Sequence, residues 1–289
     1  MLLRRAVALA LVVAAAAQGR SLCSAPGWQV TFEDEFEGDA LDSKVWSVKS
    51  NGTHGPTEQE LYTADEVWVE GGALVLRTRK REALGPQGQR YNFTSGWVDS
   101  MGKRFQRYGR FEVRALLPSA NAGRPSKWPD AWPAHWLMPE PSTSHPPNIC
   151  WPMGGEIDIM EAFRPRGDGP LSQSVIMTYH WAEECGKDLW GREQGFFPLL
   201  DDARPQIDWS NDWHTYGVEW TEESVIWYVD GQPRYVRRRG EPASLFVASD
   251  PMYLILNTAL NPWARAAVDE DFPVYHVIDR VTWCEPSQQ

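Results

Sequence analysis

The stretch Gly154-Gly155-Glu156-Ile157-Asp158-Ile159-Met160-Glu161 sets three acids among aliphatic residues. On a helix, positions 156, 158 and 161 point to different sides of the axis and share no face. On a strand, Glu156 and Asp158 point the same way, while Ile157 and Ile159 face a core. Glu161 lies an odd number of positions from Glu156, so a regular strand would turn it to the opposite face. One extra residue, a β-bulge around Ile159-Met160, returns all three acids to one face. The stretch therefore reads as a bulged strand. Strands disfavour Asp and adjacent like charges, which marks the three acids as candidate catalytic groups.

Paired carboxylates on one face are the equipment of acid-assisted glycoside cleavage. Four effective strand steps separate the outer Cα atoms by about 13 Å. Glutamates leaning together on a bent strand can bring their carboxyl groups to about 5–5.5 Å, the spacing of a retaining double displacement. Inversion needs a wider gap, and spacing alone leaves it open. Crowded like charges also favour split protonation, with an ionised nucleophile and a protonated acid. Asp158, between them, is placed to hydrogen-bond to the nucleophile.

Outward from the motif, two Pro-rich loops are expected, Pro118 to Pro133 and Pro139 to Pro152. Structureless loops of that length are usually functional. Short strands are expected at Val67–Val69, Ala73–Leu76, Gly109–Leu116, Val175–His180, Thr215–Trp220, Met252–Asn257 and Val277–Trp283. Val225–Val229 leads into Asp230-Gly231, a two-residue hairpin signal, and Arg234–Val236 returns. No helical periodicity of any length interrupts them, which argues for an all-β sandwich. The chain has sixteen tryptophans. Trp128, Trp132, Trp136 and Trp151 cluster around the acids, where indole faces stack on pyranose rings. Trp68, Trp220, Trp227 and Trp283 sit in strands as core filling. His180 ends a strand soon after the motif and can touch substrate or the acid.

Composition narrows the partners. The net charge is −11, which disfavours nucleic acid and anionic membranes and is compatible with a neutral polymer. Arg4 and Arg5 followed by the apolar run Ala6–Ala17 read as a cleavable signal peptide over residues 1–19, too short to span a bilayer. Residues 20–289 are then one secreted catalytic domain, expected as a monomer with no membrane contact after cleavage. Four cysteines suit an oxidising compartment. Terminal strands often lie side by side, which favours Cys23–Cys284 and leaves Cys150–Cys185 to clamp the loops by the acids. Asn51-Gly52-Thr53 and Asn92-Phe93-Thr94 are glycosylation sequons. Arg237-Arg238-Arg239 reads as a solvated strand end.

Blocks along most of the chain resemble glycoside hydrolase family 16, within it the laminarinase-like endo-β-1,3-glucanases. They include Phe32–Phe36 as an opening strand, Glu58-Gln59-Glu60-Leu61-Tyr62, Tyr108–Arg114 and Trp132-Pro133-Ala134-His135-Trp136. Trp151-Pro152-Met153-Gly154-Gly155 precedes the acids, and His214-Thr215-Tyr216, Trp227–Gly231 and Tyr253–Asn257 follow. The resemblance implies a jelly-roll β-sandwich with a concave substrate cleft. It implies Glu156 as nucleophile, Asp158 as its helper and Glu161 as acid/base, with no cofactor for catalysis. Trp132, Trp136, Trp151, His180 and Trp263 match positions lining the cleft in relatives. Some relatives carry a structural calcium near the terminal strands, where Asp279 is the candidate ligand.

Two segments depart from the family pattern. Ser95-Gly96-Trp97 stands where relatives often have Ser-Gly-Arg, and Thr258-Ala259-Leu260-Asn261-Pro262 stands for a Gly-rich turn. Both bear on linkage specificity. The leading expectation is a β-1,3-glucan hydrolase. The alternatives are a catalytically silent β-glucan recognition protein, an enzyme acting on mixed-linkage glucan or galactan, and a transglycosylase.

Overall fold

A computed structural model describes residues 21–55, 58–118, 131–144, 149–162, 175–187, 195–197, 212–241, 245–260 and 272–288. The expected leader and Trp128 lie outside these residues, as does Trp263.

The described strands in chain order are β1 (Trp28–Asp34), β2 (Ser47–Val48), β3 (Glu60–Tyr62), β4 (Val67–Val69), β5 (Leu74–Leu84) and β6 (Arg90–Ser95). Next come β7 (Trp97–Asp99), β8 (Phe105–Gln106), β9 (Gly109–Leu116), β10 (Ala131–Pro139), β11 (Glu156–Ala162) and β12 (Val175–His180). The last are β13 (Gly195–Phe197), β14 (His214–Trp220), β15 (Ser224–Val229), β16 (Gln232–Arg238), β17 (Met252–Leu260) and β18 (Val274–Pro286). They form two sheets. The larger runs β16-β15-β14-β9-β18-β5-β6-β3, with β1 beside β18 and β4 beside β5. The smaller runs β13-β12-β11-β10-β17-β7-β2, with β8 beside β17. No helix among the described residues is long and apolar enough to cross a membrane.

Alternation explains the layers. Leu137, Ile157, Ile159, Met177, Leu254 and Leu256 of the smaller sheet pack against Phe111, Val113, Val218, Trp220, Trp227 and Trp283 of the larger one. Trp220, Trp227 and Trp283 are fully buried. At about 25 cal/mol per Å² over roughly 200 Å² each, every one contributes about 5 kcal/mol. Trp68 packs instead on a small outer cluster with Val75, Trp213 and Tyr275. The Asp230-Gly231 hairpin forms as expected, with φ of 50° and 72° joining β15 to β16. The terminal strands β1 and β18 pair antiparallel. Disulfides join Cys23 to Cys284 and Cys150 to Cys185, with Cα–Cα distances of 5.7 and 5.5 Å.

Two expectations needed correction. The loop expected to end at Pro133 ends earlier, because Pro133 lies inside strand β10, opposite Thr258 of β17. Pairing with β11 on the other side begins only at Ala134, opposite Glu161. Pro133 therefore stands where β10 is laddered on one side, which suits a residue without an N–H. The opening strand also stops at Asp34, short of Phe36. Phe36 has φ of 51°, and its N–H donates to the Asp34 side chain.

Two buried histidines bridge the sheets. His135 on β10 and His276 on β18 approach with Nε2 atoms 2.9 Å apart and rings stacked at 5.0 Å. One proton fits between those nitrogens. Burial pushes His276 down to about 3 and holds His135 well below the usual range. The unfolded chain takes up a proton below about 6.5 that the folded chain refuses, so this contribution to stability falls as pH drops from 6.5 toward 3. The buried acids have raised pKa values and act in the opposite sense, so the histidine part must be read as a difference. The stability gap between wild type and His276→Asn is expected to narrow by about 2 kcal/mol from pH 7 to pH 5. Urea unfolding at the two pH values measures it, and an equal gap at both would remove the account of the pair.

Candidate active site

The bulge is present and lies where the parity of the acids requires it. Glu156 pairs with His180 and Asp158 with Thr178, but Glu161 pairs with Ile176, so β11 spends three steps where β12 spends two. On the other side, His135 faces Met160 and Trp136 faces Asp158, again leaving Ile159 as the extra residue. Ile157, Ile159 and Met160 are all fully buried in the core. Glu156, Asp158 and Glu161 consequently share the outer face of the smaller sheet, together with Trp132, Trp136, Thr178 and His180.

A bulge leaves backbone groups outside the ladder, and inside a protein they need partners. Trp227, reaching across the sandwich from β15, donates its indole N–H to the backbone carbonyl of Asp158 at 2.8 Å. Sequence reasoning assigned Trp227 to core filling, and it also props the bulge. Gly155, just before Glu156, has φ of 79°, and a Cβ there would meet Ala248 Cβ at 2.8 Å and the Tyr179 hydroxyl at 2.9 Å. Only glycine enters the strand by that path.

The expected tryptophans divide by role. Trp132 Nε1 donates to Glu161 Oε1 at 3.0 Å. Trp151 Nε1 donates to Glu156 Oε2 at 2.6 Å, while the residue is 44% exposed. It is thus held by one edge and open on its surface. Trp136 is buried, its N–H donating to Asn257 Oδ1 at 2.9 Å. It packs edge-on against Trp97 at 5.5 Å, and Lys49 Nζ sits 3.5 Å over the Trp97 ring. The indole at position 97 is thus covered by an ammonium group. His180 Nε2 lies 3.0 Å from Asp158 Oδ2 and 3.8 Å from Glu156 Oε1. Thr178, which the sequence reading passed over, donates to Glu161 Oε2 at 3.3 Å. Its position two residues before His180 was the available signal, since that spacing shares a face. A cavity of about 170 Å³ opens beside Trp151, lined by Met138, Ile149, Gly155 and Tyr253 among others.

Burial is the first cause of raised pKa values in all three acids. Glu156 and Asp158 hydrogen-bond to each other, and each is pushed up by burial and then by a neighbouring acid's charge. Such a pair shares a proton and titrates as a unit. Glu161 is pushed up to about 7 by burial, with the His180 charge and the Trp132 and Thr178 hydrogen bonds pulling the other way. The site therefore holds one protonated acid beside a proton-sharing pair near neutrality. Glu156, Asp158 and His180 also lie close enough to offer one ligand atom each to a cation.

Asp279 lies elsewhere, at an irregularity of β18 on the larger sheet, paired with the Arg114 guanidinium. Its Oδ1 is buried without a hydrogen-bond partner, and burial pushes the group up to about 6. That free oxygen suits a cation, but calcium takes six to eight oxygen ligands. Asp279 belongs to no group of three or more metal-ligating side chains among the described residues, so backbone carbonyls would have to supply most of the others. Asn51 and Asn92 are both exposed.

The sequence matches the family described as glycosyl hydrolases family 16 over residues 57–273. It is 32% identical over 274 residues to the beta-glucanase of Rhodothermus marinus, covering 89% of this chain and 85% of the relative. It is 30% identical over 282 residues to glucan endo-1,3-beta-glucosidase A1 of Niallia circulans, covering 88% of this chain and 37% of the relative. Among solved structures, the laminarinase catalytic domain of Thermotoga maritima matches with a TM-score of 0.73 and 30% identity. That match covers 90% of this chain and 99% of the other.

Proposed function

Because the chain belongs to glycosyl hydrolases family 16 and is a glycoside hydrolase, we propose that it is an exported endo-β-glucanase that cuts β-1,3-linked glucan with retention of configuration. The observation that carries this reading is the bulge, which sets Glu156 and Glu161 on one face with an indole N–H on each carboxylate. Their Cα atoms stand four paired positions apart along β12, about 13 Å. Glu161 Oε2 leans back to Thr178, the ladder partner of Asp158, which brings its carboxyl group toward Glu156. That lean is in the direction a retaining pair needs, whose carboxyl groups stand roughly 5–5.5 Å apart.

The reaction follows from the placement. Glu156 attacks the anomeric carbon as Glu161 gives its proton to the leaving glycosidic oxygen. Charge spreads over an oxocarbenium-like transition state. Attack needs the shared proton on Asp158, so that Glu156 carries the negative charge, and the Trp151 N–H steadies that charge. The glycosyl group is then bonded to Glu156. Glu161, now ionised, takes a proton from water as that water attacks the same carbon and frees Glu156. Trp151 offers its exposed face to a sugar ring. With all three acids present and hydrogen-bonded, an enzyme is favoured over a silent binder.

Activity needs Glu161 protonated, so kcat/KM is expected to fall as pH rises through about 7. The Thr178 hydrogen bond favours the ionised form. Thr178→Val is therefore expected to move the alkaline limb to higher pH, and a limb that stays or moves down would contradict the assignment. Product analysis on laminarin, lichenan, agarose and carrageenan tests the substrate. Cleavage of laminarin to short oligosaccharides is expected, and cleavage of only the galactans would overturn the glucan reading.

A further inference from the structure

Near the acid strand lies a buried carboxyl group that the reaction does not touch. Glu60 on β3 is fully buried. Its Oε1 accepts from the Tyr62 hydroxyl at 3.0 Å, and its Oε2 accepts from the backbone N–H groups of Gln59 and Leu260, both at 3.1 Å. The Tyr62 hydroxyl accepts from Asn257 Nδ2 at 3.2 Å, and Asn257 Oδ1 accepts from Trp136 Nε1 at 2.9 Å. Trp136 stands directly opposite Asp158 in the ladder.

We propose that Glu60 is a positioning residue, the terminus of a one-way hydrogen-bond relay that runs Trp136 to Asn257 to Tyr62 to Glu60 and fixes the Trp136 indole in the floor of the cleft. The direction follows from the two ends. An indole N–H can only donate, and a carboxylate can only accept. Tyr62 must therefore give its proton to Glu60 and accept from Asn257, which turns the amide oxygen toward Trp136. Even the isosteric glutamine does not serve at position 60. A glutamine has one accepting and one donating end, so it faces an N–H toward either Leu260 or Tyr62. The second arrangement reverses the relay and sets the Asn257 amide N–H against the Trp136 N–H. Burial pushes Glu60 up to about 8 against the pull of its donors. The acceptor form is the one this geometry holds, because a proton on Oε1 would leave Tyr62 accepting twice with its own proton unplaced, and a proton on Oε2 would crowd the Gln59 and Leu260 N–H groups.

The inference rests on the glucan reading, so wild-type kinetics on laminarin oligosaccharides come first. A wild type that leaves laminarin intact removes both readings, whereas the variants test the relay alone. Glu60→Gln and Tyr62→Phe are each expected to raise KM about two- to tenfold, the worth of one buried hydrogen bond, with kcat within about twofold. Each cuts the same relay, so the double variant is expected to show no more than the larger single effect. Asn257→Asp, nearly isosteric, is expected to raise KM likewise, and it carries the test if Glu60→Gln does not fold. Additive KM effects, or a lowered Tm with KM unchanged, would overturn the relay and leave Glu60 a purely structural group.

Discussion

Glu156→Gln is expected to lower kcat on β-glucan by roughly 10⁴-fold or more, the scale of losing an essential nucleophile. The substitution keeps the shape and leaves a carbonyl oxygen to accept from Trp151, which now bonds the carboxylate at 2.6 Å. What it removes is the charge that attacks the anomeric carbon. The glutamine amide N–H can donate to Asp158 in place of the shared proton, so the fold is not expected to suffer. Calorimetry with a laminarin oligosaccharide should give an affinity near that of the wild type. Turnover within tenfold of wild type would remove Glu156 from its role, whatever the affinity.

Glu161→Ala is expected to cost about 10²–10⁴-fold on glucan, whose leaving group needs a proton. The loss should depend on the leaving group. An aryl glucoside with an acidic phenol departs without help, so formation of the glycosyl-enzyme should survive, and only the base-assisted step with water should be slow. Azide needs no base. Added azide is expected to restore turnover and yield the β-glycosyl azide, because it displaces Glu156 from the α face-linked intermediate. An equal loss on every leaving group, with no azide product, would mean that Glu161 is not the acid/base. The Trp132 and Thr178 hydrogen bonds to Glu161 make the alanine variant leave those donors facing the cleft, where water can take the place of the carboxylate.

The acid strand was legible because a strand has period two. An odd separation between two acids that must share a face can be met only by an added residue, and Ile159 is that residue. The hairpin at Asp230-Gly231 was legible because left-handed backbone in a short turn selects those residue types. Other features lay beyond local pattern. Prolines made the approach to β10 read as loop through Pro133, although that residue stands in a strand laddered on one side. Trp227 gave no sign of its bond to the Asp158 carbonyl, since its partner is 69 residues away and belongs to the other sheet. Trp136 read as an open platform, but its burial depends on Trp97 and Asn257, brought beside it from distant strands. Alternation reports which face a side chain takes, and only the tertiary fold reports what covers it.

The central claim is that Glu156 and Glu161, joined across a bulge, work with retention. Proton NMR in the first minutes after mixing enzyme with a laminarin oligosaccharide reads the anomeric configuration of the new reducing end before mutarotation scrambles it. The account predicts the β anomer first, with α appearing later at the mutarotation rate. The α anomer appearing first would contradict it.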